Sequence, residues 1–187
     1  FNILCMLLLC PASGLLEKLV MKIIPEGKTP EHTEELDERL LATPSVALER
    51  CHEVTVDMAK CAVDALKSGM QCLKEYTPEL AQKAREEEDK TDHYEDMLGT
   101  YLVKLSTHSI SDADSKESAK LLKLIGDFER ISDHGVNLVE SAEELKAKDL
   151  TLTGKAQKEL QVICMAVEEI LDLSLKAFVD NDMQAAH

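Results

Sequence analysis

The stretch GDFERISDHGVNLVE, residues 126–140, decides how this chain folds. Phe128, Ile131, Gly135 and Leu138 recur at spacings of three and four, the signature of one buried helix face. The same register runs back through Leu121 and Ile125 and on through Ala142 and Leu145, so the pattern predicts a helix over 114–147. That phase points Glu129 and Asp133 outward and, being four residues apart, stacks one above the other. Two acids so placed repel by roughly 0.2–0.5 kcal/mol unless something positive lies between them. A second pair of the same E-x-x-x-D form, Glu88 and Asp92, occurs in EEEDKTDHYEDML, residues 86–98.

Three more helices are predicted outward from that stretch. Thr43-Pro44 and Tyr76-Thr77-Pro78 each place a capping threonine before a proline at the first helical position. They open helices over 44–75 and 78–107. The first has Val46, Val54, Met58, Ala62, Ala65, Leu66, Cys72 and Leu73 on its inner side, and the second has Thr91, Tyr94 and Leu98. The polar run STHSISDADS (106–115) ends the second, and LTLTGKAQ (150–157) precedes a last helix over 154–180. Strand-like alternation is never sustained. Helices of some 30 residues are ~45 Å long at 1.5 Å per residue, and short turns oblige them to fold back as an antiparallel bundle. An offset of 105 residues lays Met58, Ala62, Ala65, Leu66, Cys72 and Leu73 on Ile163, Val167, Ile170, Leu171, Ala177 and Phe178. The fourth helix is therefore expected to be the first helix of a second bundle, truncated at His187.

Composition narrows the function. The 187 residues suit one domain, or one domain and part of another. The net charge of −15 argues against a general nucleic-acid binder, which needs a basic face to displace counterions. Aromatic residues make up 3% and Trp is absent, so a stacking platform for bases or sugars is not expected. The six cysteines form no C-x-x-C and mostly sit among apolar residues at helical spacing, as small buried side chains in a reducing compartment.

Residues 1–24, FNILCMLLLCPASGLLEKLVMKII, carry no charge before Glu17 and then Lys18 and Lys22, with Lys28 beyond. The run reads as the end of a transmembrane helix with its basic flank on the cytoplasmic side. Residues 25–43 follow as a linker, and 44–187 as the helical domain.

Acids on an outward face are ordinarily just solvated. Against that, the two pairs share one form and lie near the middles of adjacent antiparallel helices, so their oxygens could converge on Mg²⁺, Mn²⁺ or iron. His134 adds a nitrogen, although a neighbour one position on points about 100° away. Enzyme readings find no support. A di-iron bundle needs two inward Glu-x-x-His motifs, and only Glu49-Arg50-Cys51-His52 has that form. Zincin, hydrolase-elbow and phosphate-loop motifs are all missing, so no catalytic residue and no organic cofactor is expected.

EEEDKTDHYEDML and GDFERISDHGVNLVE resemble the two signature segments of PhoU-type domains, helical proteins of bacterial phosphate homeostasis. The resemblance implies an all-α bundle with multinuclear metal clusters on its surface, held here by Glu88, Asp92, Glu129 and Asp133, with His134 and Asn137 matching the motif's tail. The metal would be divalent or trivalent: iron, zinc, manganese or magnesium. Ser132 stands where the free-standing members usually have Gly, and Gly135 where Ala is common. The apolar run, the charged linker and LDERLLATPSVALE (36–49) resemble the join between the membrane part of bacterial sodium/phosphate cotransporters and their C-terminal PhoU-like domain. This implies a regulatory domain at the cell membrane, residues 25–187 cytoplasmic, of a parent that carries sodium and phosphate through a transport core outside this sequence. A homodimer is a further expectation. The alternative is a free-standing PhoU-like adapter of phosphate uptake signalling, with residues 1–24 as a docking helix.

Overall fold

A computed structural model describes residues 36–180. The membrane-helix expectation for 1–24, most of the expected linker, and 181–187 lie outside them. Four α-helices account for the described chain: α1 Pro44–Lys74, α2 Pro78–Ser106, α3 Asp112–Ala147 and α4 Gly154–Val179. They agree with the predicted ends to within two residues, and there is no strand among the described residues.

The ends are set by local hydrogen bonds. Thr77 caps α2 by accepting from the Leu80 amide at 3.2 Å, and Thr153 caps α4 by accepting from Ala156 at 3.3 Å. Ser111 caps α3 by accepting from Asp114 at 3.1 Å, so this helix starts two residues earlier than expected. Thr43 precedes Pro44 but makes no side-chain cap bond; the proline alone marks that start. After α3 the chain turns through Asp149 at φ 51°, and the Leu150 amide reaches back to the Leu145 carbonyl at 2.9 Å. This is a Schellman closure with an aspartate in the left-handed position that glycine usually takes.

Helices α1, α2 and α3 form an antiparallel up-down-up bundle around two apolar layers. The larger gathers Leu48, Cys51, Val54 and Met58 of α1, Leu98, Leu102 and Leu105 of α2, and Leu121 and Ile125 of α3. The smaller, at the opposite end, holds Cys72, Ala81, Ala84, Val139 and Ala142. Val46, expected inside, is 44% exposed, because at the first turn of α1 the bundle is covered instead by the segment before it. That segment is the tail of the expected linker, a 3-10 turn over Glu38–Ala42 that seats Leu36 and Leu41 in the core. Tyr101 of α2 pins it by donating to the Asp37 carbonyl at 3.0 Å.

Between the two layers α1 and α3 nearly touch. A Cβ on Gly69 would lie 2.2 Å from the Gly135 carbonyl oxygen, and one on Gly135 2.6 Å from the carbonyl of Ala65. Alanine does not fit at Gly135 unless the two helices move apart.

The fourth helix packs antiparallel on α1 through Cys164 and Leu171, which meet Val63 and Met70. Lys67 pairs with Asp172 at 2.6 Å across this contact. Leu171, the counterpart of Leu66, is buried in that contact. Ile163 and Ile170, the counterparts of buried Met58 and Ala65, are 60% and 63% exposed. Val167, Ala177 and Phe178, the other counterparts, are half-buried, and the Phe178 ring packs against His52 and Phe128. None of the helices among those residues is long and apolar enough to cross a membrane.

Candidate metal centre

The site arises where the helical phases of α2 and α3 meet. Thr91 and Leu98 anchor α2 in the core, fully buried. Thr91 Oγ1 donates to the Glu87 carbonyl at 2.8 Å, so a polar side chain is satisfied inside the bundle. This phase carries Glu88, Asp92 and Glu95 along the seam toward α3. On α3, buried Ser132 donates to the Glu129 carbonyl at 2.7 Å. A serine is thus buried here without leaving its hydroxyl unpaired. Its neighbour Asp133 faces the same seam.

One carboxylate oxygen each from Glu88, Asp92 and Asp133 lie within 4.8 Å of one another. Oxygens about 2.0–2.1 Å from Mg²⁺ sit at most ~4.2 Å apart, and those about 2.3–2.6 Å from Ca²⁺ up to ~5 Å. Small side-chain adjustments therefore suffice for three hard oxygen donors from two helices to share one cation. Glu88 and Asp133 are half-buried and Asp92 is exposed. Glu88 and Asp133 thus lie along the helix seam, not on the free outer face that the sequence suggested, while Asp92 keeps its exposure at the seam's edge.

The electrostatics run in one direction. Glu88 is pushed up to about 7, chiefly by burial and then by Asp92, Asp89, Asp133 and Glu129. Asp92 is raised by burial and by Asp133, Asp89 and Asp96. Every charge that acts on these two is another carboxylate. The seam holds negative charge against its own repulsion, and partial burial denies it full screening by water.

Glu129 is not among the three converging donors. It is half-buried beside Asp133, to which it can hydrogen-bond when protonated, and it is raised by burial, Asp133, Glu95 and Asp92. His134 and Asn137 are exposed on the turn beyond. Sequence reasoning passed over Glu95, which is half-buried and raised by burial and by Asp92, Asp96 and Asp133. Its spacing of three from Asp92 was the available signal, since that spacing shares a helix face.

The helix order, the seam and the two acidic segments can now be set beside known proteins. Residues 55–142 match the PhoU domain. The matched segment is just under half of the chain and contains all four predicted ligands, Glu88, Asp92, Glu129 and Asp133. The all-α bundle is of the PhoU type. Neither a curated protein nor a solved structure matches the chain.

Proposed function

We propose that this chain is a cytoplasmic regulatory PhoU-like domain of a sodium-dependent phosphate transporter, and that it binds a divalent or trivalent cation at the α2–α3 seam. The observation that carries the metal reading is the convergence of Glu88, Asp92 and Asp133 from two helices, inside the segment that matches the PhoU domain. A bound cation would supply positive charge that removes the mutual repulsion of these carboxylates. The chain's own part is to hold them: Thr91 and Leu98 fix the rotation of α2, Ser132 and Gly135 that of α3. Glu129 and Glu95 are the next donors for a second ion. Cross-linking two helices at mid-length stiffens the face presented to a partner, which is how occupancy could report to a transporter.

The transporter context is supported by the resemblance of the apolar run, linker and LDERLLATPSVALE to the cotransporter join. Two experiments test the halves separately. Metal content of the purified chain, by mass spectrometry of the elements, should fall sharply in Glu88→Gln/Asp133→Asn; equal content in both proteins removes the seam as the site. The reading frame upstream of Phe1 should encode several membrane helices, and a start codon a few residues upstream would favour the free-standing adapter instead.

A further inference from the structure

At the end of the bundle formed by the C-termini of α1 and α3, the 148–153 turn and the first half of α4 border a half-open cavity of 670 Å³. That volume is in the range of sites for small organic ligands, roughly 300–1,000 Å³. Its apolar lining comes from Leu73 of α1, Leu145 of α3, Leu152 of the turn, and Leu160 and Met165 of α4, with Thr151, Gln157 and Gln161 adding polar groups. Its charged lining residues are Lys74 and Lys146, and no aspartate or glutamate is among the residues that line it. In a chain with 36 acids and 21 lysines and arginines, a cavity lined by cations alone is against the general charge.

Both lysines can take an anion. The Lys146 ammonium sits 4.4 Å from the centre of the Tyr76 ring, and no ion pair among the described residues engages it. Lys74 reaches Glu168 only at 3.5 Å, longer than the 2.7–2.9 Å of a well-made charged hydrogen bond. The nearby acid, Glu143, accepts from the Tyr76 hydroxyl at 3.3 Å and is neutralised by Arg85 at 2.9 Å. Its carboxyl is held below the usual range chiefly by that arginine. The tyrosine ring is thereby held beneath the Lys146 ammonium, and both residues line the cavity.

We infer that this cavity binds an anionic amphiphile, with its apolar body among the leucines and its acid head group at Lys146 and Lys74. Preference for the charged form is the distinguishing property. An apolar groove alone would take an alcohol as well as an acid of the same chain length.

The test uses the full chain, labelled with ¹⁵N, titrated with dodecanoate and with dodecanol below micelle-forming concentrations. Dodecanoate should shift amides of 72–76, 142–152 and 157–165, and should bind at least fivefold more tightly than dodecanol. Lys74→Gln/Lys146→Gln, two exposed positions whose exchange leaves the core untouched, should bring dodecanoate down to the affinity of dodecanol. Met165→Trp, at a side chain 60% exposed, should weaken both probes by filling the mouth. Replacing dodecanoate by dodecyl phosphate tells which acid head is preferred, and tight binding of either supports the inference. Equal affinity for dodecanoate and dodecanol, shifts confined to residues outside these three segments, or an unchanged affinity in the double lysine variant would each overturn it.

Discussion

Gly69→Ala should destabilise this protein, although in an isolated helix the same exchange stabilises. Alanine is favoured over glycine inside a helix by about 1 kcal/mol. Here the added Cβ would lie 2.2 Å from the Gly135 carbonyl oxygen and 3.0 Å from its carbon, where ordinary contact begins at 3.4 Å. The obstacle is backbone, so no rotamer change relieves it, and α1 and α3 must separate by about 1 Å along their most extensive seam. Overpacking of a well-filled interior costs typically 1–3 kcal/mol. With the upper end of that range and the helix preference subtracted, the net loss is about 2 kcal/mol. For a chain of this size that is a fall of ~4–8 °C in Tm. Gly99→Ala and Gly126→Ala are the controls. Their new Cβ atoms would meet only the Ile125 side chain at 3.8 Å and the Glu95 side chain at 4.0 Å. Both should raise Tm by ~2–4 °C, the propensity gain alone. Urea and thermal unfolding followed by far-ultraviolet circular dichroism, with the four proteins side by side, read the contrast. A Gly69→Ala variant as stable as Gly99→Ala would show that the two helices do not approach this closely.

Two further outcomes follow from the ionisation of the chain. Glu88 binds its proton up to about 7 in the folded state, against an ordinary value of 4.5, and Asp92, Glu95 and Glu129 are raised as well. The folded form thus holds more protons, so the contribution of these groups is greatest below about pH 4.5 and is lost as pH rises toward 7. Without metal, stability should decline over that window, and the rise in Tm produced by 1 mM Mn²⁺ should be larger at pH 7.5 than at pH 5; a larger rise at pH 5 would contradict the seam as the binding place. The thiols of Cys51 and Cys61 are each pushed up to about 12, Cys51 by burial and Cys61 by burial and then Glu87. Alkylation at pH 8, mapped by peptide mass spectrometry, should be at least a hundredfold slower at these two sites in the folded chain than in urea, whereas comparable rates would mean that α1 opens readily.

Much of this fold is legible in the residues one at a time. Phe128, Ile131, Gly135 and Leu138 repeat at helical spacing because each side chain must return to the same face every three or four positions. Thr77 announces a helix start because its hydroxyl accepts from the amide three residues on, all within one short segment. The pairing of Glu88 with Asp92 and of Glu129 with Asp133 was equally visible, since it needs only the pitch of one helix. The exposure of Val46 was not, because it depends on Leu36 and Leu41 covering the bundle there in its place.

The candidate site divides along the same line. The identity of its acids was determined by the sequence, as was their placement at mid-helix. Whether they face water or a neighbouring helix depends on how far each helix is rotated about its axis, and that is decided by what it packs against. At the crossing of Gly69 with Gly135 two backbones come together with no side chain between them, across 66 positions of sequence. That close approach, together with the burial of Thr91 and Ser132, sets the rotation of α3 and α2 and draws Asp133 to Glu88 and Asp92. Local hydrogen bonding and periodicity act within a few residues and can be read from the chain. The separation and rotation of helices are properties of several segments packed at once, so only the tertiary structure decided that Glu88, Asp92 and Asp133 from two helices become one partly buried cluster of like charge.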